Sequence, residues 1–218
     1  MANPALCLLA PLSPRAAGRL GVARRIDAAG VVLSFDDGPH PEGTPAVLEL
    51  LAGAGARAVF FLVGEQVQRR PALAGRIVAG GHLVAVHGHR HRLQLRLPAR
   101  AVREDLRRAV AAIEDACGTA VGWHRPPYGI YSPAGVRAAR ESGLRPLLWS
   151  RWGKDWRKFT SPGAIAARAT RRVDSGDVIL LHDADFYSAR DSHRRTAAAL
   201  PEIMGELKRR GLDTVLPV

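Results

Sequence analysis

Asp36 and Asp37 stand side by side in the run Ser34-Phe35-Asp36-Asp37-Gly38. Adjacent carboxylates repel, so the pair calls for a cation or an arginine nearby, unless it only makes a turn, for which Asp-Gly is a common dipeptide. His87, His89 and His91 alternate along a second stretch. If that stretch winds helically, His87 and His91 share a face at i and i+4. If it stays extended, all three rings share one. Either way, one carboxylate and two imidazoles with the remaining positions open make a catalytic metal arrangement, and spacing alone leaves open which two histidines bind. Nitrogen and oxygen ligands suit zinc, and also cobalt, nickel or manganese.

Three further groups complete the set. Arg125 precedes the stiff turn Pro126-Pro127-Tyr128-Gly129, where a guanidinium could be held against a carboxylate. Asp155 is followed by Trp156, and His182 ends the apolar run Val178-Ile179-Leu180-Leu181. Asp155 could bond one nitrogen of His182 and leave the other to carry a proton.

These groups need a scaffold, and the chain supplies a regular alternation. Short runs rich in Val, Leu, Ile and Phe read as buried strands at residues 31–35, 58–63, 83–86, 121–124, 145–149, 178–181 and 214–216. Between them lie helical patterns at 44–52, 65–79 with a break at Pro71, 98–116, 132–142, 161–173 and 196–210. Val102, Leu106, Ala109, Val110 and Ile113 form one amphipathic stripe, and Gly80, Gly118, Gly143 and Gly211 stand at helix ends. Alternating units of this kind imply a parallel sheet, either open or closed into a barrel. The polar groups follow the first, third, fourth, fifth and sixth strands, so one rim would gather them.

The chain has 218 residues, 47% hydrophobic and 24% charged, which suits one folded domain and excludes a disordered chain. Residues 30–218 read as that domain, with 1–29 as a lead-in segment. No apolar window is long enough for a transmembrane helix. The lead-in is apolar but interrupted by Pro4, Pro11 and Pro14, a poor secretory signal that suits a short surface helix or an interfacial anchor. Net charge is +12, carried by scattered arginines without a basic, aromatic-rich block, so nucleic acid is not expected as a partner. Cys7 and Cys117 lie far apart and suggest neither a disulfide framework nor a thiolate zinc site; Cys117 is expected on a core face.

At these residues the chain resembles the polysaccharide deacetylases of carbohydrate esterase family 4, the NodB-homology domain. Residues 34–38 look like the family's (T/S)FDDG, 87–91 like its HxxxH, 125–129 like its RPPYG, Asp155-Trp156 like its DW, and 180–182 like its LxH. The resemblance covers residues 31–218 and implies an α/β fold, a distorted barrel of seven or eight parallel β/α units. It implies one divalent metal, zinc before cobalt, nickel or manganese, on Asp37, His87 and His91. Asp36 would be the general base, oriented by Arg125. His182 would be the general acid with Asp155 behind it. Tyr128 would offer its backbone N–H to the oxyanion, and Leu180 and Trp156 would line a pocket for the acetyl methyl. The implied reaction removes N-acetyl groups from peptidoglycan, chitin-like chains or an exopolysaccharide, a metal-bound water attacking the amide carbonyl. Trp152 stands where the family often has a second carboxylate. His89 is expected to be a bystander, His40, His82, His124 and His193 surface or structural residues, and residues 185–195 a loop near the substrate. Rival readings are an O-acetyl esterase or small-amide deacetylase on the same site, or a non-catalytic sugar-binding module.

Overall fold

The computed structural model describes residues 4–217. Strands β1 (Val32–Asp36), β2 (Ala58–Leu62), β3 (Leu83–Val86), β4 (Trp123–His124), β5 (Arg145–Pro146), β6 (Arg151–Trp152) and β7 (Val178–His182) join in one sheet of order β5-β4-β3-β2-β1-β7-β6. Every pairing is parallel, and the sheet curls into a distorted barrel. The helices are α1 (Pro4–Leu9), α2 (Pro14–Leu20), α3 (Gly43–Gly53), α4 (Gly64–Arg69), α5 (Pro71–Ala79), α6 (Ala99–Cys117), α7 (Pro133–Glu141), α8 (Pro162–Ala169) and α9 (Ser192–Arg209).

Period-two alternation divides the core in two. Leu33 and Phe35 of β1, Phe60 of β2 and Ile179 of β7 point outward and pack beneath the helices with Leu51, Ile77, Ile113 and Ile203. Val32, Val59, Phe61, Ala85, Val178 and Leu180 point inward and pack with Leu147, Leu148 and Trp149. Cys7, Ala10, Ala17 and Leu20 of the lead-in join this inner cluster.

β5 and β6 do not pair, and the lead-in bridges the gap. Ala23 pairs parallel with Leu147 on one side, and Arg25 antiparallel with Asp177 on the other. Helices α2, α7 and α8 all begin with a Ser-Pro pair. The serine hydroxyls of Ser13, Ser132 and Ser161 accept from the N–H three residues on, at 3.3, 3.0 and 3.2 Å. Proline after each cap costs no hydrogen bond, because that N–H has no partner in a helix.

Several expectations are corrected. Residues 214–216 make only one bridge, Val31 to Thr214, while the short β6 was not expected. Asp155 therefore follows β6 rather than the fifth strand. Helix α8 stops at Ala169, and α9 starts four residues early at Ser192, so the loop expected over 185–195 ends at Asp191. Cys7 is fully buried and Cys117 only half-buried.

Candidate active site

The inward file of each central strand is apolar at the base and turns polar at the rim. On β1 it runs Val32, Ser34, Asp36, and on β7 Val178, Leu180, His182. Asp36 and His182 are register partners at the ends of these neighbouring strands. On β3, Ala85 is followed inward by His87 just past the strand. A cleft of about 370 Å³ opens there, lined by Asp36, Asp37, His87, His91, Tyr128, Trp156, Leu180 and His182 among others. All the sequence-predicted site residues except Arg125 and Asp155 line it directly, and those two stand behind it, fully buried.

Arg125 is a large cation buried inside the barrel. Nη1 donates to Asp36 Oδ1 at 2.6 Å and to Ser34 Oγ at 3.0 Å. Nε and Nη2 donate to the carbonyls of Leu147 and Leu148, and the guanidinium lies 3.9 Å from the centre of the Phe61 ring. Burial pulls the Arg125 pKa down, and the Asp36 charge opposes it. A buried pair of this kind orients its carboxylate; removing either partner strands a charge at a cost of about 3–5 kcal/mol.

Asp37 follows β1 with φ +80°, a left-handed conformation that aspartate tolerates better than most residues. This turn sends its carboxylate toward the histidines. Asp37 Oδ1 lies 3.4 Å from His87 Nε2 and 3.3 Å from His91 Nε2, and no hydrogen-bond donor satisfies it. His87 Nδ1 is 2.9 Å from the Arg125 carbonyl. A carbonyl can only accept, so Nδ1 carries the proton and Nε2 presents a lone pair to Asp37. A carboxylate oxygen facing an imidazole lone pair is repulsive unless a cation lies between them, and these residues fit a divalent metal.

Asp155 sets His182 with both oxygens. Oδ2 accepts the His182 backbone N–H at 2.7 Å and the Thr196 hydroxyl at 2.8 Å, while Oδ1 accepts Nδ1 of the ring at 3.0 Å. Burial lowers the His182 pKa, but Asp155, Asp37 and Asp36 together raise it to about 10, so the imidazolium persists at neutral pH. Trp149, Trp152 and Trp156 form an aromatic wall, with successive ring centres 5.8 and 5.5 Å apart and Trp156 edge-on to His182. Opposite, Tyr128 and Gly129 are both left-handed, and Tyr128 is 54% exposed.

Sequence reasoning missed Tyr187 and Thr196. Tyr187 lies nearly parallel to His91 with ring centres 4.1 Å apart, and its hydroxyl donates to Glu65 at 3.0 Å. Its only sequence signal was membership of a loop expected near substrate. Thr196 reaches Asp155 across 41 residues of chain, without any local signature.

A second group of two histidines and an aspartate, His40, His193 and Asp185, stands nearby. All four histidines without an assigned role are buried. His40 Nδ1 accepts the backbone N–H groups of Glu42 and Gly43 at 3.2 and 2.9 Å. Its proton therefore sits on Nε2, 3.3 Å from Asp185 Oδ1. His193 faces Asp185 with Nδ1 at 3.3 Å and Glu42 with Nε2 at 3.8 Å. Asp185 Oδ2 also accepts the Asp191 N–H at 2.7 Å. This group ties the loop that carries Tyr187 to the turn after β1.

The chain is similar in sequence and fold to known proteins. The chain is 33% identical over 183 residues to the peptidoglycan-N-acetylglucosamine deacetylase of Bacillus cereus, covering 83% of each chain. It is 38% identical over 192 residues to the chitooligosaccharide deacetylase of Sinorhizobium fredii, covering 84% of this chain and 88% of that one. A solved peptidoglycan N-acetylglucosamine deacetylase superposes with a TM-score of 0.83 at 28% identity, over 91% of both chains. Residues 24–147 match the polysaccharide deacetylase family, and with more than half its length so matched, the chain belongs to that family.

Proposed function

We propose that the protein is a metal-dependent hydrolase that removes N-acetyl groups from an N-acetylhexosamine polymer or oligomer, of the peptidoglycan or chitin-like kind. The observation that carries this reading is the lone pair of His87 Nε2 converging with Asp37 beside an acid and a base of opposite charge. Asp37, His87 and His91 would hold the ion, and the nitrogen and oxygen donor set favours zinc. When bound, the cation supplies Lewis acidity toward the amide carbonyl and makes water easier to deprotonate.

The chain's own groups complete the chemistry. Asp36, fixed by Arg125, takes the proton of the attacking water as general base. The Tyr128 N–H meets the charge that develops on the carbonyl oxygen. His182 holds its proton through Asp155 and delivers it to the departing nitrogen, which an amide cannot expel as an anion. Leu180 and Trp156 enclose the acetyl methyl, and the tryptophan wall offers flat apolar faces to the sugar. Acetate and a free amine result.

Acetate release from N-acetylglucosamine oligomers and acetylated peptidoglycan tests this reading. Activity should vanish on chelation, return with zinc or cobalt, and be lost in Asp36→Asn. A chain that binds one metal ion yet releases acetate only from O-acetyl esters would overturn the N-deacetylase assignment.

A further inference from the structure

The lead-in carries a feature that this chemistry does not use. Helix α1 buries Cys7, and Ala10 just beyond it is buried too, yet Leu8, Leu9 and Leu12 are 51%, 50% and 63% exposed. Among the described residues they are three of only five large hydrophobic side chains left exposed. Tyr128, another of the five, belongs to the cleft. Exposed leucines close together in sequence, on a segment whose other face is buried, form an apolar ridge rather than scattered surface residues.

The ridge is flanked by arginine. Arg15 and Arg19 are exposed on α2, the next helix. Arg140 donates to the carbonyls of Leu20 and Gly21 at the end of α2, at 2.8 and 3.0 Å, and remains exposed itself. A hollow of about 400 Å³ lies between α2 and the neighbouring loops, lined by Pro14, Ala17, Gly18, Arg24, Arg25 and Arg151 among others. Arg151 donates to the carbonyl of Arg172, another exposed arginine. The buried acid here, Asp177, is already engaged by Arg25 and Arg151, at 2.7 and 2.9 Å. Exposed Glu141 and Asp174 offset only part of the remaining charge.

We propose that this face docks on an anionic lipid bilayer. Leu8, Leu9 and Leu12 enter the boundary between headgroups and acyl chains, while the arginines of α2 and its neighbours meet lipid phosphates. An apolar ridge beside a cationic flank is the pattern of an interfacial segment. The membrane is favoured over another protein because the ridge is narrow and its exposed arginines outnumber the exposed acids Asp27, Glu141 and Asp174 around it.

Flotation of the 218-residue chain with vesicles tests the proposal. The probes are vesicles of phosphatidylglycerol mixed with phosphatidylcholine, and of phosphatidylcholine alone. The chain is expected to float with the anionic vesicles and not with the neutral ones. The variant Leu8→Ser/Leu9→Ser/Leu12→Ser should lose on the order of tenfold or more in partitioning, since three apolar side chains no longer transfer. Arg15→Gln/Arg19→Gln should weaken binding less and flatten its dependence on salt. Thermal melting of each variant verifies that it is folded, without reference to acetate release. Absence of binding to anionic vesicles overturns the proposal. So does unchanged binding of the leucine variant, which would reduce the effect to general charge. Leucine-dependent dimerisation without lipid, seen by sedimentation velocity, would overturn it too and make a second copy of the chain the occupant.

Discussion

Two clusters of the same composition, two histidines and one aspartate, stand on the cleft side of this barrel, and the placement of their protons separates them. In the first, His87 gives its Nδ1 proton to a carbonyl and turns a lone pair toward an unsatisfied Asp37 oxygen. In the second, His40 takes two backbone N–H groups on Nδ1, so the nitrogen facing Asp185 must carry the proton. One arrangement leaves room for a cation. The other turns an N–H toward its carboxylate and acts as a strut. Backbone hydrogen bonds behind the rings, not the identity of the ligands, decide which cluster can hold metal.

The largest contrast should appear on removal of the aspartates. Asp37→Ala should lose the bound equivalent of zinc and, with it, activity by roughly 10³-fold or more, as several kcal/mol of charge stabilisation disappear. Asp185→Ala should keep the full equivalent. Isothermal titration calorimetry reads both, and loss of zinc from the second variant would break the comparison.

Next in size, Asp36→Asn should lower kcat by about 10²- to 10⁴-fold while metal binding stays intact. Metal analysis alongside the kinetics separates the base from the ligands; a variant that also releases its zinc would put Asp36 among the ligands instead.

The pH dependence of kcat/KM gives a smaller effect with a definite sign. With its pKa raised to about 10 from the ordinary 6.5, His182 keeps the proton needed by an acid, and activity should fall as pH rises through the alkaline limb. A bound cation offsets the charges of Asp37 and Asp36, so in the metal-loaded enzyme the limb lies below 10. Asp155→Asn removes the strongest influence raising the pKa and should move that limb to still lower pH. An unmoved limb would assign it to another group.

The smallest effect belongs to the strut. His193→Ala should leave zinc stoichiometry unchanged, lower stability by about 1–3 kcal/mol, and raise KM more than it lowers kcat. The expected route is looser placement of Tyr187 against His91. Chemical denaturation and steady-state kinetics measure the two parts, and a KM equal to wild type would confine the cluster to folding.

Much of the site was legible because it is local. The inward files of β1 and β7 are read directly from period-two alternation, and their polar members fall at strand ends where a parallel sheet must gather them. Pro71 breaks its helix as expected, because its ring has no N–H to continue the hydrogen-bond ladder, although the longer α9 accommodates Pro201. The elements that escaped are those whose stability comes from elsewhere. β6 spans only Arg151–Trp152 and exists because β7 lies beside it. Residues 214–216 have the apolar pattern of a strand but find a single bridge. Residue type alone could not distinguish the burial of Cys7 from the half-burial of Cys117.

The sequence by itself determined a parallel β/α sheet and the order in which acid, base and ligand candidates reach its rim. Alternation and turn chemistry act within a few residues, and every one of those signals lies within a short stretch of chain. The tertiary structure alone decided which nitrogen of His87 carries the proton, that Thr196 and Asp155 fix His182, and that the lead-in fills the gap between β5 and β6. Those outcomes depend on groups brought together from tens to more than a hundred residues apart. A tautomer is chosen by whatever donor or acceptor the fold places behind the ring.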